Sequence, residues 1–463
     1  MRLLLTCLLL LMPALVVAQS QTLYKNATLI LAERSEILTN GYLLVADGRF
    51  VAVGQGEPDI EMLPDTDIVD LNNRYVSAGF IDTHAHMSLG AVTFEIDGET
   101  VSLQAANSLD IGRWNGEKLL AYGVTTVRNP GGVTAANIAY RDAQRRGSIV
   151  GPQAFVAGGI INVTPFEGLT QAVDNDDEII AAIDSQAAMG VDYIKLYTEL
   201  SAAQIAVAVA RADYYKLPVI AHLEQLSWQT GAELGIDHLV HAMPISPDLL
   251  TDTAREEFLN VQQPGNANWY QWYQYMDHDS APMQALYRQL VAHETAVDPT
   301  LIVFYNTFFA NQESVTQNSA LELVHPDLLA NWREFFNFNI GWQADDYQQA
   351  QQVWPRVLKL VKELHDRGVL LSVGTDLGNP WVIPGVSFHQ EMALLVDAGL
   401  TPMQVLALAT ANGAKVLGKE QQTGRLTNGL QADFVVFASD PTQDISHAQD
   451  IVAVYQAGAQ VSH

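Results

Sequence analysis

Gly79-Phe80-Ile81-Asp82-Thr83-His84-Ala85-His86 is the stretch on which the reading of the 463-residue chain turns. A short apolar run that ends in two histidines reads as a buried strand. Alternate side chains of a strand share a face, so Phe80, Asp82, His84 and His86 are expected on one side, with Ile81, Thr83 and Ala85 on the other. Two imidazoles on one face at a strand end are a ready pair of metal ligands. A His-x-His pair also occurs by chance on surfaces, so the remaining ligands have to come from elsewhere in the chain.

Seven further strand-like runs follow, at 123–128, 153–158, 191–197, 217–222, 235–241, 296–301 and 369–376. Helical stretches such as 177–189, 202–215 and 355–366 lie between them. Eight βα repeats predict an α/β fold, a (β/α)8 TIM barrel with its site at the carboxyl ends of the strands. Short strands at 28–31, 41–46 and 50–53, separated by Asn40-Gly41 and Asp47-Gly48, read as hairpins. The tail turns β again at 424–426, 432–437 and 451–458. The two ends together predict a small β-sandwich domain. The expected divisions are a signal peptide at 1–18, the small domain at 19–77 and 419–463, and the catalytic barrel at 78–418. The aromatic-rich segment 258–283 is expected to be an enlarged βα loop placed as a lid.

Residues 1–18 carry Arg2, an apolar run from Leu3 to Val17 and Val16-Val17-Ala18 before Gln19, the pattern of an export signal cleaved after Ala18. The run is short for a membrane span and contains Pro13. A periplasmic or secreted protein is expected. Cys7, the single cysteine, falls inside that signal, so the mature chain has no thiol for a nucleophile, a disulfide or a cysteine metal site. A formal net charge of −28 disfavours nucleic acid and anionic membranes as partners. It suits an acidic surface, with steering of a cationic substrate as the minor reading. A small molecule or dipeptide is the expected partner, and self-association into a homo-oligomer is left open.

Further ionisable groups fall at strand ends. Lys195 shares a face with Tyr193 and Tyr197, which would bury a charge that must be paired or chemically changed. His222 closes the fifth strand. In the sixth, parity puts His241 with Leu239 and His238 with Val240, so His241 is the expected ligand and His238 a structural residue. Gly374-Thr375-Asp376 closes the eighth with a carboxylate. Taken singly, each has an ordinary structural explanation. Six such groups on the ends of five strands fit a metal hydrolase better than six accidents.

The set His84, His86, Lys195, His222, His241 and Asp376 resembles the amidohydrolase superfamily, in its binuclear branch with a lysine on the fourth strand. Gly190-Val191-Asp192-Tyr193-Ile194-Lys195 and Gly374-Thr375-Asp376 are most similar to its prolidase-like members, which cleave Xaa-Pro and other N-acyl amino acid bonds and include relatives of ochratoxin amidase. The resemblance spans nearly the whole mature chain. It implies two divalent metal ions, commonly zinc, bridged by a carboxylated Lys195, with His84, His86 and Asp376 on one ion and His222 and His241 on the other. It further implies that a metal-bridged hydroxide attacks an amide and that Asp376 acts as the catalytic base and acid. Tyr197 and Arg128 are the expected substrate contacts, and Asp82 an orienting group.

Asn129 stands where the family often has an aspartate, so the part that the family's residue plays there is not carried over. A mononuclear imidazolone-type ring hydrolase or deaminase of the same fold is the alternative. Such deaminases usually place a glutamate three residues after the fifth-strand histidine, and here that position is Gln225, with Glu224 one residue earlier on the other parity. A barrel without catalysis, serving as a binding protein, is the non-enzymatic alternative. The turn 377–388 is expected to shape specificity, and His389 to be a packing residue.

Overall fold

In a computed structural model the residues described are 21–60, 62–97, 100–262, 265–339 and 341–462. The signal-like segment 1–18 lies outside them. The fold is α/β. Seven short strands carry the central part: β1 Phe80–Asp82, β2 Val124–Asn129, β3 Gln153–Val156, β4 Ile194–Leu196, β5 Val219–Ala221, β6 His238–Val240 and β7 Ala296–Asp298. Parallel ladders join β1 to β2 and β2 to β3, and link β4 through β7 in order. A parallel bridge between Ala157 and Tyr193 connects the two groups.

The eighth expected strand does not form as a ladder. Leu371 bridges Val297, Thr83 N donates to Val373 O at 2.9 Å, and Asp376 N donates to His84 O at 2.7 Å. The pairings thus pass from strand to strand and return to β1. The segment 371–377 is pinned on both sides although its own backbone is irregular, because Gly374 permits close packing: a Cβ there would lie 2.9 Å from the His84 side chain.

The inner face is not the one that the histidine pair suggests. Ile81, Phe155, Tyr193, Ile220, Val240 and Ala296 form one buried cluster inside the strand circuit. Phe80, Ile194, Val219 and Leu239 instead join the larger cluster with the surrounding helices. Strict alternation would therefore turn His241 outward with Leu239. A left-handed backbone at His241 (φ 72°) breaks the alternation just past the strand end. Asp376 has the same device (φ 60°). Both positions depend on conformations that most residues avoid, the kind of backbone strain found at functional sites.

Both chain ends supply one eight-stranded, hydrogen-bonded sheet. Gln21–Leu31, Glu36–Ala46, Arg49–Gln55, Asp67–Asp70 and Tyr75–Ala78 come from the start, and Phe434–Phe437, Ile451–Gln456 and Ala459–Ser462 from the end. One buried core gathers Leu29 and Leu43 from the start of the chain with Phe434 and Tyr455 from the end. Asp47-Gly48 makes a hairpin turn with both φ values positive. Asn40-Gly41 does not: Glu36–Ala46 runs straight through it, with the register shifting around Gly41 where a bulge replaces the turn. Residues 424–426 form a bend rather than a strand.

The hairpin Leu89–Asp97/Thr100–Asn107 was not anticipated. The segment 258–283 is mostly helical, with α1 at Ala267–Tyr275. α2 follows at Leu301–Phe308. α3, Ala344–Asp366, starts before the expected residue 355 and contains Pro355. Its buried Ala350, Val353, Trp354, Val357, Leu360 and Leu364 continue one apolar stripe across the proline, and burying that stripe outweighs the lost backbone bond. α4 is Val386–Asp397.

Asp433 couples the sheet to the site-bearing strands. Its backbone oxygen accepts from Gly79 N at 2.9 Å. Its buried carboxylate accepts from Ala457 N at 2.7 Å, Thr423 Oγ1 at 3.1 Å and Gln431 Nε2 at 3.0 Å. Asp433→Ala leaves those donors without a partner and should lower stability by about 2–3 kcal/mol. Thermal and denaturant unfolding of the variant against the parent will measure it.

Candidate metal centre

The six expected ligands lie around one cavity at the ends of the strands. All are buried, with Lys195 only 2% exposed. His84, His241 and Asp376 form the tightest group, their ligand atoms lying within 4.8 Å of one another. His84 Nε2 and His86 Nε2 both approach Asp376 Oδ1 at 3.4 Å, and His241 Nδ1 is 3.9 Å from Oδ2. His222 joins through its ring, 4.4 Å from that of His241. Separations near 3.4 Å between ligand atoms are those of groups that converge on one ion, because ligand bonds of about 2 Å span them.

Fixed partners aim these rings. His84 Nδ1 donates to Asp298 Oδ1 at 2.9 Å, and His86 Nδ1 donates to the Gly131 carbonyl at 2.9 Å. Both acceptors put the proton on Nδ1 and leave the Nε2 lone pair facing Asp376. His241 Nδ1 contacts Thr300 Oγ1 at 2.7 Å. Burial holds the His84 and His241 imidazoles well below their usual range, in the neutral form that a ligand needs.

Lys195 sits among these groups without a hydrogen-bond partner for Nζ, and His222 Nε2 is likewise unpaired by hydrogen-bond geometry. Glu224 Oε1 is 3.4 Å from His222 Nε2, an electrostatic contact rather than an aligned bond. Burial brings the Lys195 amine down to about 7.

Arg128 is placed differently from the expectation. It is fully buried beneath the ligands: Nε donates to Thr83 O at 2.7 Å, one terminal nitrogen to His238 Nδ1 at 3.0 Å and the other to Asp298 Oδ2 at 2.5 Å. With every side occupied by protein it supports the site and does not reach the cavity. His238 is the structural residue expected of it. Asp82 accepts from His84 N, Thr375 N and Thr375 Oγ1 and so orients both ligand-bearing segments. Tyr197 lines the cavity, its ring 5.1 Å from that of His222. His389 is buried and hydrogen-bonds the Tyr122 carbonyl.

Sequence reasoning missed Asp298, Thr300 and Trp269. Asp298 had a signal, since an acid ends β7 as Asp376 ends the eighth segment. Glu224 had been set aside on parity, yet it reaches both His222 and Trp269 Nε1, each at 3.4 Å, while Gln225 is exposed.

The lysine has a pH consequence. Its folded pKa lies below its unfolded value, so between about 7 and 10.4 the unfolded chain binds more protons, and stability contributed by the neutral amine rises with pH. Metal-free Lys195→Met should lose that rise, as unfolding midpoints of variant and parent across this window will show.

The amidohydrolase family model matches residues 340–461. Imidazolonepropionase of Streptococcus pyogenes serotype M2 (strain MGAS10270) is 21% identical over 416 residues, covering 88% of this chain and 85% of that protein. A Xaa-Pro dipeptidase crystallised with methionine in its active site superposes with a TM-score of 0.67 at 19% identity, over 95% of this chain and 99% of that one. The ochratoxinase of A. niger gives a TM-score of 0.68 at 18% identity, over 96% of each chain. At these identities the two structures establish a shared fold. Together with the family match over residues 340–461, they make this chain similar to amidohydrolases in fold and, over that segment, in sequence.

Proposed function

We propose that the chain is a metal-dependent hydrolase that cleaves a linear amide, in a dipeptide or an N-acyl amino acid, with Asp376 as its catalytic acid and base. The observation that carries the reading is Lys195 Nζ, buried without a partner between histidines. An isolated ammonium there is costly, whereas a neutral amine can take up carbon dioxide and become an anionic ligand. The donor set fits two divalent ions, zinc being a suitable choice: His84, His86 and Asp376 would hold one, His222 and His241 the other, and carboxylated Lys195 would join them. Ions so held supply activated water and polarise the scissile carbonyl.

The residues of the chain do the rest. Asp376, acceptor-only while ionised, takes a proton from the attacking water and returns it to the departing amine at the same carboxylate. Asp298 and the Gly131 carbonyl hold His84 and His86 in one tautomer throughout. Tyr197, kept protonated by burial, faces the cavity as a donor to the substrate.

We read the returning circuit of strands as an eight-stranded barrel spanning 78–418, with 19–77 and 419–463 as the accessory domain. Residues 1–18 are read as an export signal, which places the protein in the periplasm or outside the cell. The likeness to imidazolonepropionase favours a second reading, hydrolysis of a ring amide at the same centre.

Hydrolysis of linear amides should vanish on chelation and return with zinc. Lys195→Ala should lose bound metal, measured by elemental analysis, together with activity. Asp376→Asn should reduce kcat by about 10²–10⁴-fold. Full activity with two ions in Lys195→Ala overturns the bridging role, and turnover of cyclic amides alone favours the second reading. The amino terminus of exported protein should be Gln19, read by mass spectrometry.

A further inference from the structure

The wall of the cavity is aromatic from the ligands outward. The His241 ring contacts Phe304 at a centroid distance of 5.6 Å, Phe304 contacts Trp269 at 5.2 Å, and Trp269 contacts Phe338 at 5.6 Å. The wall has three sources: α2 provides Phe304, α1 provides Trp269, and the loop before α3 provides Phe338. Phe166 and Leu169 also line the cavity.

Charge is missing from this recess. Apart from the six proposed ligands, the polar side chains lining it are Tyr197 and Asn379, plus the Trp269 indole, whose N–H is directed to Glu224. Asn379 Nδ2 is committed to the Asp376 carbonyl at 3.1 Å. No arginine lines the cavity among the described residues, and its one lysine is Lys195. A carboxylate placed against the wall would lose its water and gain no opposite charge, and for an ammonium the nearest carboxylate outside the proposed ligands, Glu224, lies behind the wall against His222 and the Trp269 indole. An aromatic or branched aliphatic group would lose water at no such cost and gain ring contacts. Outside the proposed ligands the lining carries no carboxylate, so the −28 net charge does not by itself predict a basic substrate.

We infer that this recess is the specificity pocket and takes an uncharged, apolar group, aromatic or branched aliphatic, flanking the scissile amide. The inference rests on the hydrolase reading above for the position of that amide.

The test uses the full chain loaded with zinc and a panel of dipeptides and N-acyl amino acids that carry Phe, Leu, Glu or Lys on either side of the bond. For at least one side, Phe or Leu should exceed both Glu and Lys in kcat/KM by about 100-fold or more, since a desolvated charge without a partner is rejected more strongly than a missing methylene. Comparable rates for charged and apolar groups on both sides overturn the inference. Phe338→Arg, at a half-buried position, should move the ratio toward Glu by more than about tenfold. An unchanged ratio in a folded variant counts against the wall.

Binding separates this inference from the reading it rests on. If no amide is cleaved by the zinc-loaded chain, the hydrolase reading fails. The pocket is then judged on the metal-free protein by calorimetry with N-acetyl-phenylalaninamide, N-acetyl-glutamic acid amide and N-acetyl-lysinamide. Tighter binding of the phenylalanine compound, lost in Phe338→Arg, sustains the apolar pocket, and equal or absent binding overturns it.

Discussion

The buried carboxylate of Asp298 is the constraint on which the site depends. One of its oxygens accepts from Arg128 and the other from His84 Nδ1, with all three side chains essentially out of contact with water. A charge pair so deep is held by geometry or not at all, because removing either member strands the other. Arg128 is in turn fixed by the Thr83 carbonyl and by His238. Three strands that are far apart in sequence are thereby locked to one histidine tautomer. The ligand ring inherits the rigidity of the strand circuit rather than that of its own loop.

A second anchor acts on the opposite side. Glu391 on α4 accepts from Leu301 N and Ile302 N, holding the first turn of α2 at 2.9 and 2.6 Å. Thr300, immediately before that turn, has a left-handed backbone (φ 43°) and presents its hydroxyl to His241. The helix that carries Phe304 to the cavity and the threonine that aims His241 are therefore set by one carboxylate. The aromatic wall and His241 thus cannot shift independently.

Much of this was legible in the residues because strand ends concentrate ionisable groups. His84, His86, Lys195, His222, His241 and Asp376 could each be picked out as a polar group closing an apolar run, and the structure gathers all six. The reasoning by face was less secure. Parity selected His241 over His238, yet the inner face belongs to Val240 and His238, and His241 turns inward only through its positive φ. Periodicity does not encode a backbone that leaves the β region. Arg128 was placed at the substrate for want of its partners, since nothing local announces that Asp298, 170 residues away, will claim it. The aromatic wall was hidden for the same reason: Trp269, Phe304 and Phe338 sit in three separate segments and become one surface only after packing. Asn40-Gly41 misled in the other direction, because the dipeptide that favours a tight turn also suits a bulge in a long strand.

The sheet built from both chain ends bears on the order of folding. Tyr75–Ala78, which leads directly into β1, pairs along its length with Phe434–Phe437. His84 and His86 therefore follow a strand whose neighbour lies more than 350 residues further along the chain. Contacts of such long range are slow to form, because the loop between the partners must close first. The histidine pair thus reaches its final geometry only when that distant pairing has formed.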